Sequence, residues 1–341
     1  MRSKTLLLFL LLCMKTFASS NYLPDYDYNY GEYVEQLFLF DKSEPVRPTG
    51  IPFSAATEKF GKLVVELGEF NVEARQKPWS SWWYPSFDKL LFEDKDDQDS
   101  PLTKYDRFAK KSFRKKTDAR GFEEKNIFDA RAVAWQGLCD AWSMAAIMEK
   151  EPTKSVYKNG ITFNVVDLKG LLLKTYEGTY LTEVYGQRNN AQWDSVYEDI
   201  YPEQFHKFLQ SEIYEKKNAF IMDFDAGFQV WNVPVYKAKM KITKDNQNSN
   251  VLHVRTYLSF PSQFIENYNF VGTKEVLKSY TYDLYGFWSR SKFVVDYGIW
   301  TDSSRWDHPD YFLVVPEQLE RKVRNTEISV EIVDAILEGS R

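Results

Sequence analysis

The chain has 341 residues, of which 43% are hydrophobic and 27% are charged, and these fractions are ordinary for a soluble globular protein. Its formal net charge of −5 argues against a protein that binds nucleic acid, which would need a broad basic face. Aromatic residues make up 17% of the chain. They supply a large apolar core and flat surfaces that can grip an extended peptide or sugar.

Residues 1–20, MRSKTLLLFLLLCMKTFASS, have the pattern of a secretory signal peptide, with a basic start, an apolar run and small residues at the end. The apolar run is too short to anchor the protein in a membrane, and Leu12 before Cys13 argues against lipidation. Removal of this segment takes away three basic residues and no acidic ones, so the net charge becomes −8. We therefore expect a secreted or periplasmic protein without a membrane anchor.

An N-terminal region is predicted over residues 21–125. Its first part, 21–35, is rich in tyrosine and acidic residues and lacks periodicity, which indicates a disordered leader. QKPWSSWWYPS, at 76–86, is predicted to form an aromatic loop between prolines. Ser100 followed by Pro101 predicts the start of a helix, because serine caps helices and proline suits the first helical position.

The segment 126–341 is predicted to be the α+β region, forming one compact unit with 50–125. Apolar residues recur at helical spacing over 129–150, and Gly137 places Cys139 at or near a helix start. A short strand and a helix are predicted over 160–176, and an amphipathic helix over 202–216. After residue 218 the pattern has period two, which indicates antiparallel strands, and a closing helix follows. Helices followed by strands predict an α+β fold in which the Cys139 helix packs on an antiparallel sheet.

Cys139 is the one cysteine left if the signal peptide is removed, so it cannot form a disulfide within the chain. Two interpretations follow, a buried inert side chain or a nucleophile. A helix N-terminus favours the second, because its free N–H groups and dipole stabilise a thiolate and can also hold an oxyanion.

A cysteine nucleophile needs a histidine to move its proton, and the chain has three. His206 is predicted to lie on the solvent face of its helix. His253 shares a strand face with Arg255 and Tyr257. His308 lies in a polar loop before an apolar strand, where catalytic groups concentrate, and is the favoured base. The group that orients it could be Asp223, Asn232 or Asp310.

Two charged segments are interpreted as solvated surface. KKSFRKK, at 110–116, is one of them. The other is the acidic loop EDKDDQD, which could bind calcium through carboxylates but lacks the glycine and final glutamate of an EF-hand loop. Its acidic residues are Glu93, Asp94, Asp96, Asp97 and Asp99. No group of residues has zinc spacing.

Several stretches, in order over residues 50–316, resemble the transglutaminase elicitor family, which comprises calcium-dependent transglutaminases secreted by Phytophthora and bacterial relatives. They are PWSSWWYPS, SPLTKYD, WQGLCDAWSMAAIMEKEP, NGITFNVVDLKGLL, DFDAGFQVWNVPV and DHPDYFLVVP. The resemblance implies that Cys139 is the active-site cysteine, that His308 is the histidine of the HPDF segment, and that calcium is a cofactor. It also implies a fold with partial similarity to papain-like and transglutaminase cysteine enzymes.

This sequence departs from the family at several positions. Asp140 stands where many members have histidine, and Val233, Tyr236 and Lys237 stand where the elicitor peptide has Gln, Arg and Gly. Recognition of this segment by plants is therefore not expected, whereas catalysis can be retained.

The predicted function is an exported acyltransferase of the transglutaminase type, whose substrates are proteins or peptides. Cys139 attacks a glutamine side chain, His308 moves the proton, Asp223 orients the base, and a lysine or other primary amine accepts the acyl group. Trp142, Trp231 and Asn232 are predicted to contact substrate, although core packing is an equal explanation for the tryptophans. Two alternatives are a cysteine peptidase or peptidoglycan amidase with the same Cys–His pair, and a non-catalytic aromatic-rich binding protein. The oligomeric state is not predicted.

Overall fold

The structure, a computed structural model, describes residues 61–95, 98–186, 188, 200–227 and 229–341. These residues all lie in one unit, Glu44–Arg341. The predicted signal peptide and the predicted leader lie outside the described residues. The described α-helices are Pro101–Phe113 (α1), Ala119–Asn126 (α2), Cys139–Met148 (α3), Val165–Lys174 (α4), Pro202–Leu209 (α5) and Val330–Leu337 (α6). No helix of the described part is long and apolar enough to cross a membrane.

The described strands form three sheets whose neighbouring strands are all antiparallel. The strands are Val64–Val65 (β1), Gly68–Glu73 (β2), Val156–Lys158 (β3), Ile161–Phe163 (β4), Val184–Gly186 (β5), Phe220–Asp223 (β6), Asn232–Val235 (β7), Lys237–Lys244 (β8), Val251–Pro261 (β9), Glu275–Ser289 (β10), Lys292–Trp300 (β11) and Tyr311–Leu313 (β12). The large sheet has the order β1-β11-β10-β9-β8-β2, the small sheet has the order β5-β12-β6-β7, and β3 pairs with β4. The predicted α+β class is confirmed.

The two larger sheets have different burial patterns. In β8, Ala238, Met240 and Ile242 are buried while the lysines between them face outward, as alternation in a half-buried strand predicts. Every residue of β6 and β7 is buried. The β6–β7 part of the small sheet is therefore covered on both faces, and α3 packs against these two strands.

Helix α1 begins as predicted. The Ser100 hydroxyl accepts a hydrogen bond from the Thr103 N–H, and Pro101 occupies the first turn. This local rule needs no tertiary contact, because the cap satisfies a backbone donor that the helix leaves free.

Helix α5 differs from two predictions made from the sequence. The predicted helix over 202–216 is α-helical at Pro202–Leu209 and continues as a π-helix at Gln210–Glu215. His206, predicted to face solvent, is buried, and its Nδ1 lies 2.9 Å from the Tyr282 hydroxyl. The reason is that α5 lies between the sheets: the Phe205 ring contacts both Tyr282 of the large sheet and Phe312 of the small one.

Candidate active site

Cys139 is the first residue of α3, and a tight local contact fixes that helix start. The N–H of Leu138 donates to the Trp83 carbonyl at 2.6 Å. A side chain on Gly137 would place its Cβ 2.8 Å from the Trp83 ring and 2.9 Å from the Trp83 carbonyl oxygen, so glycine is required there. The spacing over 129–150 predicted a longer helix, but the chain turns until residue 138 because it packs against the 78–86 loop.

The Cys139 side chain lies in an aromatic cluster and is only 4% exposed. Trp83 and Trp231 pack against it, and their ring centroids are 5.8 Å apart. The polar contacts of the sulfur are with the Asp140 Oδ1 at 3.7 Å and the Val230 carbonyl at 4.0 Å. The thiol is therefore buried but keeps a carboxylate as its neighbour.

Two opposing effects act on the thiol. Burial raises the pKa of Cys139 well above its ordinary value, and the negative charges of Asp140 and Asp223 raise it further. The backbone N–H groups of Asn232 and Asp140 act in the other direction. Because the N-cap residue Leu138 has no capping side chain, the N–H groups of the first turn are not occupied by a cap. The neutral thiol is favoured, beside donors that suit a developing negative charge.

A polar network borders the thiol. Asn232 Nδ2 donates to the Asp140 carboxylate and to the Tyr311 hydroxyl, the latter at 3.0 Å. Asn232 lies directly across from Asp223 in the β6–β7 register, and Asp223 Oδ1 accepts the Trp231 N–H at 2.9 Å. Burial raises the pKa of Asp223 well above its ordinary range. Two of the predicted site residues, Asp223 and Asn232, therefore lie beside Cys139.

A cavity of about 230 Å³ opens next to this network. Its polar groups include Asp140, Asn232 and Tyr311, and its walls include Met144 and Ile221. Asp140 is exposed to solvent through the cavity, although it lies deep in the fold. This recessed position raises the pKa of the Asp140 carboxyl. Cys139 is not among the lining residues, and Asp140 contacts both the cavity and the sulfur.

His308, the predicted base, has a different environment. Its ring is buried and stacks on Trp300 at 5.2 Å, and its Nδ1 lies 3.0 Å from the Ser304 carbonyl oxygen. Since a carbonyl only accepts, Nδ1 carries a proton and Nε2 is the nitrogen that could act as a base. No histidine of the described residues hydrogen-bonds the Cys139 sulfur. The pairing of His308 with Cys139 stays a prediction.

The other histidines lie elsewhere. His206 belongs to the core around α5. His253 is exposed on the large sheet, between Asp283 Oδ1 at 2.7 Å and Asp245 Oδ2 at 2.9 Å. Asp310, the third candidate for orienting the base, is buried next to β12.

The two tryptophans predicted to contact substrate differ. Trp142 is fully buried in the main core, and its Nε1 donates to the Trp79 carbonyl at 2.9 Å. It therefore cannot wall a substrate channel in this structure, and core packing explains it. Trp231 contacts Cys139 and stays a candidate for substrate contact.

The acidic loop does not fit a calcium site in its described part. Asp94 accepts the Ser100 N–H at 2.8 Å, and Asp99 pairs with Arg107. Asp96 and Asp97 lie outside the described residues. Across the described ranges, no group of three or more His, Cys, Asp or Glu side chains could hold a metal ion.

Sequence reasoning missed two members of the site. The sequence could have indicated Asp140, because its position directly after the cysteine places it in the first turn of α3. For Tyr311 the sequence offered only the period-two alternation of its strand, which does not indicate a site residue. Its hydroxyl reaches Asn232 because β12 pairs with β6, which no local pattern reveals.

Two comparisons show which known proteins the chain resembles. Residues 128–257 match the family model described as transglutaminase elicitor. No curated protein matches the sequence. The crystal structure of the GP42 transglutaminase from Phytophthora sojae is similar at 21% identity, with 84% of this chain and 97% of that chain covered and a TM-score of 0.62. The matched stretch, residues 128–257, includes Cys139, Asp223 and Asn232, and over it the chain is similar to the transglutaminase elicitor family.

Proposed function

We propose that this protein is an acyltransferase that joins the side chain of a protein glutamine to a primary amine through a thioester on Cys139. The observation that carries the proposal is the position of the thiol. Cys139 begins α3, backbone N–H groups act on its sulfur, and a cavity is lined by its carboxylate neighbour, Asp140. The family match supports the same activity.

The reaction has two halves. In the first, the sulfur attacks the glutamine carboxamide carbon, a C–S bond forms, the C–N bond breaks and ammonia leaves. In the second, an amine attacks the thioester, a C–N bond forms and the thiolate leaves. The N–H groups of Asn232 and Asp140 are the candidates to stabilise the oxyanion in both halves. Burial of the thiol by aromatic rings limits competing hydrolysis.

Two groups are candidates for the base that takes the thiol proton. The Asp140 carboxylate is in contact with the sulfur at 3.7 Å. His308 is the base predicted from the resemblance, and its proposed role requires Nε2 to reach the sulfur. The variants Asp140→Asn and His308→Asn separate the two, because loss of the base lowers the rate of ammonia release and removes one limb of its pH profile.

The test of the proposed function measures two products from one incubation. The protein is mixed with a glutamine-containing peptide and a fluorescent primary amine, and both released ammonia and labelled peptide are quantified. We expect both products from the native protein and neither from Cys139→Ala, whose folding is checked by circular dichroism. Ammonia without labelled peptide refutes transfer and indicates a hydrolase. Cleavage of the peptide backbone, detected by mass spectrometry, indicates the peptidase alternative.

Reactivity of the thiol tests the non-catalytic alternative. A glutamine peptide that forms a thioester protects Cys139 from alkylation, whereas the same peptide with asparagine does not. Equal alkylation in the presence of the two peptides contradicts a nucleophilic role. In that case Cys139 is a buried core residue of a binding protein.

A further inference from the structure

The cavity beside Cys139 joins one exposed carboxylate to apolar walls. We propose that this cavity binds the acceptor amine, as an ammonium group on an apolar chain of the lysine type, and that Asp140 holds its nitrogen. The inference rests on the proposed function, since it concerns the second half of that reaction.

The charges around the cavity fit a cation at Asp140. Among its lining residues the charged ones are Asp140 and Arg188. Arg188 is exposed, its guanidinium lies over the Trp135 ring at 5.3 Å, and its positive charge also acts on the Asp140 carboxylate. Asp140 is the one described lining residue with a carboxylate that can carry a negative charge, so a cationic group in the cavity is attracted to it.

Hydrogen-bond acceptors are available at the same place. Asp140 Oδ1 is occupied by Asn232, while its carboxylate remains open to solvent. Asn232 is 1% exposed, and its buried Oδ1 has no hydrogen-bond partner among the described residues. A buried acceptor without a donor costs about 1–3 kcal/mol. An ammonium group can supply donors to both side chains.

The walls fit an unbranched alkyl chain. Met144, Ile221 and Leu313 line the cavity, and Tyr180, which is 84% exposed, lies at its mouth. If each of the four methylenes and the nitrogen takes about the volume of one water molecule in the liquid, about 30 Å³, the five groups need about 150 Å³. The cavity volume of about 230 Å³ exceeds this.

The location also suits the chemistry. Asp140 Oδ1 lies 3.7 Å from the Cys139 sulfur, so a nitrogen held by Asp140 is next to the thioester carbon. The bound ammonium first gives one proton to the Asp140 carboxylate, which frees the lone pair of the nitrogen. The amine then attacks, the C–N bond forms and the C–S bond breaks. The sulfur leaves with the electron pair and takes up the second proton of the nitrogen, which restores the thiol. Asp140 is thus assigned both binding of the acceptor and removal of its proton.

A ratio of acceptor efficiencies tests this role without depending on the rate of acylation. Both acceptors are used with the same glutamine peptide: 1,5-diaminopentane carries an ammonium on an apolar chain, and hydroxylamine is small and uncharged near neutral pH. The measured quantity is kcat/KM for diaminopentane divided by kcat/KM for hydroxylamine. In Asp140→Asn we expect this ratio to fall about tenfold or more, the effect of losing one charge-assisted hydrogen bond.

Glu183→Gln is the matched control, because Glu183 is an exposed carboxylate next to the lining residue Val184 and does not line the cavity itself. Its ratio stays at the native value. If Asp140→Asn lowers kcat/KM for both acceptors by the same factor, the ratio is unchanged. Asp140 then acts on the thiol or on folding, which overturns the proposal. If both carboxylate variants lower the ratio alike, the cause is the loss of one negative charge near the cavity and not a contact with Asp140, and the proposal also fails.

A binding measurement separates this inference from the proposed function. Diaminopentane is titrated into Cys139→Ala, which cannot form a thioester, and binding is followed by ligand-observed NMR. We expect saturable binding that is lost in Cys139→Ala/Asp140→Asn and kept in Cys139→Ala/Glu183→Gln. If the native protein releases no ammonia yet these binding results hold, the transfer reaction fails while the amine site stands. If ammonia is released but the amine does not bind, the cavity is not the acceptor site.

Discussion

The buried imidazole of His206 makes a quantitative prediction about stability and pH. Burial, aided by the nearby charge of Lys207, lowers the pKa of His206 to about 3, whereas histidine in an unfolded chain titrates near 6.5. Between these values only the unfolded state binds the proton, so stability falls as pH falls. Each pH unit in this window costs about 1.4 kcal/mol, which amounts to about 3 kcal/mol between pH 6.5 and 4.5.

The variant His206→Gln removes the titrating group but keeps a polar side chain that can bond to Tyr282. We expect the variant to be less stable than the native protein at pH 7, because packing in the core is disturbed, and the gap to narrow by about 3 kcal/mol by pH 4.5. Urea unfolding followed by tryptophan fluorescence gives the free energy of unfolding of both proteins across this range. A gap that does not change with pH would mean that the imidazole is charged or exposed in the folded state, and the reasoning would be refuted.

Three further predictions use other described residues. Lys169→Met should lose about 3–5 kcal/mol of unfolding free energy, because the fully buried ammonium bonds to Glu151 at 2.7 Å and to two backbone carbonyls; a loss below about 1 kcal/mol in urea unfolding contradicts this. Cys139 should react with iodoacetamide slowly near neutral pH in the folded protein, and its alkylation rate should still increase with pH where an ordinary thiol is already ionised. Unfolding in urea should bring the rate to that of an ordinary thiol. His253→Gln should destabilise below about pH 6.5 and lose its effect as pH rises, because hydrogen bonding to Asp283 raises the pKa of His253; an effect that grows with pH in urea titrations refutes this.

Features that depend on neighbours in the sequence were predictable. Ser100 and Pro101 fix the start of α1 by capping, and Gly137 marks the start of α3 next to Cys139. Period-two alternation predicted strands after residue 218, and β8 shows the reason, since alternate residues of that strand are covered. These signals sufficed for the α+β class and for the position of the thiol at a helix start.

Features that depend on which surfaces meet were not predictable. The pattern of α5 was interpreted as one apolar face and one solvent face, but two sheets cover this helix, and His206 is therefore buried. The same reason applies to the site. Asp223 comes beside Asn232 through strand register, and Tyr311 reaches Asn232 through the pairing of β12 with β6. Chain order contains no direct signal for either contact.

The free cysteine that the sequence singled out now has a physical explanation for its survival in an oxidising compartment, the predicted destination of the chain. Oxidation proceeds through the thiolate and needs access to the sulfur. Cys139 is 4% exposed, and burial together with the charge of Asp140 raises its pKa, so the reactive form is scarce in the resting protein. Neutralising Asp140, by protonation or by an ammonium held in the cavity, removes the first of the charges that oppose the thiolate. The carboxylate that protects the thiol at rest is therefore the group through which an amine would influence the leaving sulfur.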